Sequence, residues 1–375
     1  MEFVRVKPNQ NYVLNLNQNE IAINKDNVYV MHKSWADNVG GEKSPANLRP
    51  YNFSIDASDK KILFLRSMGM GDFLFLSPLI KLIKDNYTTS TVDFAGVEYQ
   101  QSILNMIPGI TNVVNMPIIE SEFESYDYHF HVSTLIEMDN QSKNVYDLYL
   151  DALNQNSKET DEKYKRPYIK EQFIRKELVK NNIIGIHPFA NNPIRALEMN
   201  LINSLVNELI NNGYKIIIFS SPEEMIIAKT IIKQPQIIWA IEKHKSMEET
   251  ANLLLTCEKV IAVDSVIVHL AQAMNIPTVA IYGPFPSESR LKYYKNISII
   301  DTNPDCRCCL HSMNQCPKGE NIGSLCLRID PETIINVVKN KNIRSEPLFY
   351  ETEINQYNVE ISQVPDTEHL VSQVV

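Results

Sequence analysis

The sequence predicts an α/β protein made of two facing Rossmann-like domains with a small β-rich N-terminal appendage, and three observations carry that reading. Two apolar runs, Lys60 to Leu65 and Ile183 to Ile186, are each followed by a polar loop and then by residues recurring at helical spacing. The stretch from Val260 to Tyr282 forms a complete strand-helix-strand unit: an apolar run closes on Asp264-Ser265, Ile267, Leu270, Ala271 and Met274 follow at helical spacing, and Thr278 to Tyr282 is again apolar. At 375 residues, the chain has room for two such arrays.

Residues 1–55 are polar and Asn-rich. Tyr12 to Leu16, Glu20 to Ile23 and Val28 to Met31 alternate weakly around Asn-rich turns, which predicts a β-hairpin or meander, and Trp35 to Pro50 reads as a loop. The first α/β domain, 56–160, opens with the strand ending at Leu65 and the glycine loop Ser67 to Asp72. A helix with Phe73, Leu76, Ile80 and Ile83 on one face follows, then strands at Thr91 to Phe94, near Val113-Val114 and from Tyr128 to Val132, with a helix over Glu98 to Met106. Charged, aperiodic sequence over 154–175 places a linker at 161–178. The second domain, 179–343, continues from its first strand through helices at Leu201 to Ile210 and Glu223 to Ile232, with a strand at Tyr214 to Phe219 between them. Residues 344–375 are acidic and aperiodic, which predicts a flexible tail.

The net charge of −9 argues against nucleic-acid binding, which needs a positive surface, while leaving room for a local basic pocket. The N-terminal residues lack the apolar core of a signal peptide and no run approaches bilayer-spanning length, so the expectation is a cytoplasmic protein with at most peripheral membrane contact.

Polar residues at the carboxyl end of a parallel strand, facing a helix N-terminus, mark where open α/β sheets bind phosphorylated ligands, and Asp264-Ser265 occupies that position. His269 lies one turn further on the same side of the helix; support of a ligand site and core packing are both open for it. In the first domain, Gly69-Met70-Gly71 lacks the third glycine of a dinucleotide fingerprint, and Asp72 reads either as a helix-capping residue or as a carboxylate presented at a helix start.

The order D-S-x-x-x-H-L-A followed by N-I-P-T-V-A-I-Y-G-P resembles the donor-site signature of the ADP-heptose glycosyltransferases (glycosyltransferase family 9), and Met70-Gly71-Asp72-Phe73-Leu74 with Pro78 resembles that family's acceptor-side M-G-D-x-L-x-x-x-P pattern. The resemblance implies a GT-B fold with its active site in the cleft between the domains. It implies heptose transfer from an ADP-activated donor, with inversion, to an acceptor hydroxyl on a glycan, a glycolipid or a protein. Asp72 would then be the base that activates the acceptor, and Arg195, in the loop after the strand at Ile183, the cation on the diphosphate. Glu224, in a Ser220-Ser221-Pro222-Glu223-Glu224 segment with serines where the family has glycines, would read the ribose, with Asp264, Ser265 and His269 completing the donor site. Val266 stands where the family commonly has glycine. No catalytic metal is expected, because protein cations and a helix dipole take over charge stabilisation. Two other readings share the architecture: a non-hydrolysing sugar-nucleotide epimerase and a sugar-nucleotide-binding protein without turnover.

Five of six cysteines fall between 306 and 326. Cys306-x-x-Cys309 has knuckle spacing, and Cys316 and Cys326 can close a tetrahedral thiolate site, with Cys308 and His311 as spare ligands. The spacing alone reads first as structural zinc; the segment's resemblance to the metal finger of the autotransporter heptosyltransferases implies iron. Lone Cys257 reads as a core residue on a helix with Leu253 and Leu254.

Overall fold

The computed structural model describes residues 3–16, 19–66, 69–131, 143–240, 246–304, 316, 325–340 and 348–349. At the N-terminus β1 (Phe3–Pro8) runs antiparallel to both β4 (Tyr29–His32) and β5 (Gly41–Pro45), while β2 (Tyr12–Leu16) and β3 (Asn19–Ile23) form a separate hairpin. The stretch expected to be a loop thus contains a helical turn, Lys33–Ala36, started by the His32 side chain, and an edge strand. Gly41-Glu42-Lys43-Ser44-Pro45 has no strand propensity of its own. Its conformation comes from backbone pairing to β1, and its charges and proline suit an exposed edge.

The first α/β domain contains β6 (Lys61–Leu65), α1 (Met70–Asn86), β7 (Thr91–Gly96), β8 (Val113–Asn115), β10 (Tyr128–His131) and α2 (Val145–Ala152), with a short β9 (Ile118–Ile119) that leaves the domain to pair with β4. Its sheet is parallel in the order β10-β6-β7-β8. Leu63, Leu65, Ala95 and Val97 on one face are covered by Phe3, Val30 and Ala46 of the appendage. The appendage therefore supplies a layer that helices supply in an ordinary doubly wound sheet. α1 differs from the one-faced helix expected, since Phe73 to Ile80 are buried without interruption. An all-round apolar helix belongs between two layers, and α1 lies between its own sheet and a helix of the second domain.

The segment read as a linker packs firmly. Two turns of 3-10 helix, Glu162–Tyr164 and Glu171–Phe173, are tied down by Tyr164 Oη donating to Asp85 (2.8 Å) and the Tyr168 N–H donating to Ser77 Oγ (2.7 Å).

The second domain comprises β11 (Ile183–His187), α3 (Met199–Asn211), β12 (Lys215–Ile218), α4 (Pro222–Ile231), β13 (Ile238–Trp239), α5 (Met247–Leu254), β14 (Lys259–Val263), α6 (Val266–Ala273), β15 (Thr278–Tyr282), β16 (Ile297–Asp301), α7 (Pro331–Lys339) and β17 (Leu348–Phe349). All seven strands are parallel in the order β13-β12-β11-β14-β15-β16-β17. The order reverses between β11 and β14, and such a switch point opens a crevice at the strand ends. β17 lies inside the stretch read as tail, and Cys257 lies in the turn after α5, buried as expected. Among the described residues, no helix is long and apolar enough to cross a membrane.

Candidate active site between the two domains

Both motifs emerge at switch points. In the second domain β11 ends at His187 and leads to Arg195, while β14 ends before Asp264 and Ser265, so these residues flank the crevice between the two strands. In the first domain the switch lies between β6 and β10, and β6 leads to Arg66 and, through the loop, to Asp72 in the first turn of α1. Ser67 and Met68 of that loop lie outside the described residues.

The starts of α1 and α6 meet across the domain boundary. A side-chain carbon placed on Gly71 would stand 3.5 Å from His269 Cδ2 and 3.7 Å from the Val266 backbone. Phe75, one turn into α1, meets the His269 ring edge-on at 4.5 Å. The acceptor-side and donor-side motifs, nearly 200 residues apart in sequence, thus form one site.

On the first-domain side, Arg66 Nη2 donates to Asp72 Oδ2 at 2.9 Å. Arg66 is among the most deeply buried large side chains of the protein, whereas Asp72 keeps 18% of its side chain exposed. A fixed guanidinium therefore orients a carboxylate that solvent can still reach.

On the second-domain side, Asp264 is buried and shared. Arg195 Nη1 donates to its Oδ2 (3.2 Å), Tyr282 Oη donates to its Oδ1 (3.1 Å), and Arg290 Nε lies 3.9 Å from Oδ1. Burial alone would raise this carboxyl, but Arg290 and Arg195 outweigh it and hold it at about 2. Arg290 in turn lies with its guanidinium over the Phe285 ring at 4.1 Å, and its pKa rises because Asp264 outweighs its burial. With two guanidiniums on one carboxylate, this side of the cleft carries one net positive charge, and the Nε–H groups of Arg195 and Arg290 are buried without a hydrogen-bond acceptor among the described residues. Surplus buried donors beside a helix N-terminus favour an anionic ligand.

Ser265 occupies the N-cap position of α6 without making the capping bond; its Oγ pairs instead with His187 Nδ1 at 3.0 Å. The Val268 N–H bonds the Ser265 carbonyl at 3.2 Å, and those of Val266 and Ile267 keep their donor capacity among the described residues. Burial lowers His187 to about 4 and His269 to about 3, so both rings are neutral near pH 7. His269 is 2% exposed and bonded through Nδ1 to Tyr294 Oη at 2.8 Å. Glu224 stands at the third position of α4 in a reciprocal capping box: its carboxylate accepts from the Ser221 N–H (2.7 Å) while its own N–H donates to Ser221 Oγ (3.2 Å). That helix-starting role accounts for one of its oxygens.

Arg66, Tyr282 and Arg290 were not singled out by sequence reasoning. Tyr282 lay in the quoted Y-G-P motif, and Arg66 immediately follows the first strand; both positions are strand ends and so carried a signal. Arg290, in the short helix Glu288–Leu291, carried none.

Cys306, Cys308, Cys309 and His311 lie outside the described residues. Cys316 and Cys326 are both buried, and Cys326 Sγ packs against Gly283, directly after the strand that ends in Tyr282.

A family model described as glycosyltransferase family 9 (heptosyltransferase) matches residues 126–319, just over half of the chain. Lipopolysaccharide heptosyltransferase 2 of Salmonella typhimurium is 29% identical over 85 residues, which is 21% of this chain and 24% of that protein, so the match spans about a quarter of the relative's length. Among solved structures, ADP-heptose lipopolysaccharide heptosyltransferase II of Escherichia coli superposes with a TM-score of 0.57 at 15% identity, covering 74% of this chain and 96% of that one. TibC from enterotoxigenic E. coli H10407, described as an iron-containing dodecameric glycosyltransferase, superposes with a TM-score of 0.55 at 13% identity and covers 90% of both chains. TibC has also been solved in complex with ADP-D-β-D-heptose. These neighbours share the GT-B arrangement of two Rossmann-like domains around a cleft. The chain belongs to glycosyltransferase family 9.

Proposed function

We propose that the protein is an inverting glycosyltransferase that moves a heptosyl group from ADP-heptose to an acceptor hydroxyl. The observation that carries this reading is the meeting of α1 and α6 at their N-termini. It sets an oriented, solvent-reachable carboxylate opposite a cluster with surplus positive charge. In this reading Asp72 takes the proton from the acceptor hydroxyl as the acceptor oxygen bonds to the anomeric carbon. The bond from that carbon to the β-phosphate oxygen breaks, its electron pair leaving with ADP. Arg195 and the free N–H groups at the start of α6 stabilise the charge that develops on the diphosphate. Asp264 positions Arg195, and Glu224, at the start of the helix after β12, would accept from the ribose with the oxygen that the capping box leaves over.

A structural metal held by Cys306, Cys309, Cys316 and Cys326 would use two thiols that are buried, Cys316 and Cys326, the second of them packed against Gly283. It would supply rigidity and take no part in transfer.

Calorimetry tests the donor assignment. ADP and ADP-heptose should bind at least tenfold more tightly than UDP- and GDP-sugars, a difference of about 1.4 kcal/mol. Equal affinity for all three nucleotides would contradict it.

A further inference from the structure

His269 belongs to the donor-site motif, but the groups that hold it come from elsewhere. Its Nδ1 is bonded to Tyr294 Oη (2.8 Å), and Tyr294 Oη is bonded to Tyr146 Oη (3.1 Å). Tyr146 sits at the start of α2 in the first domain, so this buried chain of three side chains crosses the domain boundary. Its neighbours lock the same two elements together. Asn144, the N-cap of α2, donates to the Glu288 carbonyl at 2.9 Å, and Tyr293 Oη donates to Asp147 at 2.6 Å. Lys165 Nζ lies 3.2 Å from the other Asp147 oxygen. The N-cap of α2 and two residues of its first turn thus grip the segment 288–294, which also carries Arg290.

The direction of the proton chain follows from donor accounting. Among the described residues Tyr294 is the hydrogen-bond partner of the Tyr146 hydroxyl. If His269 Nδ1–H donated to Tyr294, and Tyr294 to Tyr146, the Tyr146 hydrogen would be buried with no acceptor, at the full desolvation cost of a hydroxyl. If Tyr146 donates to Tyr294 and Tyr294 to Nδ1, both hydroxyl hydrogens are used, and the ring hydrogen falls on Nε2, which is not among the buried side-chain atoms left without a partner, whereas the Tyr146 hydroxyl belongs to a residue with no exposed surface. His269 then carries its proton on Nε2. That nitrogen is bonded to Cδ2, the atom nearest Gly71, and it makes no hydrogen bond among the described residues.

We propose that Tyr294, steadied from the first domain by Tyr146, is a positioning residue that fixes His269 as the Nε2–H tautomer, so that the ring presents an N–H donor to the anionic sugar nucleotide where α1 and α6 meet. This rests on the donor assignment made above. It also gives the domain contact a chemical consequence: the donor-site histidine keeps its orientation only while the first domain holds the 288–294 segment.

Nitrogen-15 NMR of histidine-labelled full-length protein tests it, with His269 assigned by the signals lost in His269→Asn. Wild type should show a pyrrole-like Nε2 and a hydrogen-bonded, pyridine-like Nδ1. Tyr294→Phe should shift the Nδ1 signal, lower kcat about tenfold and leave the Kd for ADP within about twofold. Tyr146→Phe removes one hydroxyl from an otherwise unchanged core and should move both readouts the same way, with kcat down about threefold. A wild-type ring protonated on Nδ1, or a folded Tyr294→Phe variant with unmoved His269 signals or unchanged kcat, would overturn the proposal. A wild-type protein that binds no ADP would instead sink the donor assignment, and the tautomer measurement would still decide which nitrogen carries the proton.

Discussion

The two halves of the cleft are built on opposite plans. The second domain commits its charges to a buried network before any ligand arrives: Asp264 is shared by Arg195, Arg290 and Tyr282, and the cations hold its carboxyl at about 2. The first domain offers one carboxylate, Asp72, on one buried guanidinium, with part of its surface open to solvent. A pre-formed cationic pocket suits a ligand whose charge is always the same, such as a nucleoside diphosphate. A single oriented carboxylate beside open space suits an acceptor that must enter and leave. Binding and chemistry should therefore separate by domain, and substitutions on either side of the cleft should show it.

The largest effect is expected at Asp72. Asp72→Asn keeps the size and one hydrogen bond to Arg66 but removes the proton acceptor, so kcat should fall by about 10²–10⁴-fold, with the calorimetric Kd for ADP nearly unchanged. Wild-type turnover in this variant would remove Asp72 from the chemistry. Next comes Arg195→Ala, which should weaken ADP binding and lower kcat by about 10²-fold, the range for loss of one stabilising donor. An unchanged ADP affinity would take the diphosphate away from the β11–β14 crevice.

The cysteine cluster tests how far the second domain depends on its rear support. Freshly purified protein should contain about one equivalent of iron or zinc, as a single four-thiolate site requires. Replacing Cys306, Cys309, Cys316 or Cys326 should lower the melting temperature, because metal binding at a structural site contributes directly to folding. Cys326 packs behind Gly283, so its loss should also loosen Tyr282 on Asp264 and weaken ADP binding. Replacing Cys308, the spare thiol, should do much less. Metal-free protein with full stability and activity would leave the cluster a cysteine-rich loop.

Glu224 separates two roles of one side chain. Glu224→Ala should cost about 0.5–2 kcal/mol of stability by breaking the capping box and should weaken ADP binding. Glu224→Gln preserves the cap geometry. If it also preserves ADP affinity, the carboxylate serves α4 alone and the ribose contact lies elsewhere.

The smallest effect concerns acid. Burial pushes His269 to about 3 and both His187 and His129 to about 4, all below the ordinary 6.5. The unfolded chain therefore binds more protons than the folded one across that window. Stability contributed by the neutral rings is fully present above pH 6.5 and falls as the pH drops from there towards 4 and 3. Asp264 adds its own loss as the pH falls from the ordinary aspartate value of 3.8 towards 2. Chemical denaturation at a series of pH values should show this decline, and it should be shallower in His269→Gln. An identical slope in that variant would mean His269 titrates normally.

The same contrast governs what the sequence revealed. The second domain was legible because its strands are buried on both faces and read as apolar runs, and its polar residues follow strand ends directly. The first domain was harder. α1 is apolar on every side because a second domain covers it, which one-faced periodicity does not capture. α2 is only eight residues long and depends on its Asn144 cap and on tertiary packing. β5 exists because β1 pairs with it. In the site, Asp264 and Ser265 were read from a strand end, the same kind of position at which Arg66 and Tyr282 went unread, whereas Arg290 reaches Asp264 from a short helix whose place is set by the 288–294 segment and its grip on α2. Contacts of that kind have no local pattern.

Transfer of a heptosyl group to an acceptor should be visible directly in the mass of the acceptor. Candidate acceptor proteins and lipopolysaccharide core should be incubated with purified enzyme and ADP-heptose, with UDP- and GDP-sugars as controls. The account predicts an increase of one or more heptosyl units, with ADP-heptose alone, and none with Asp72→Asn. A sugar nucleotide altered without any acceptor gaining mass would point to an epimerase, and one bound but left unchanged would point to a protein without turnover; either result contradicts the account.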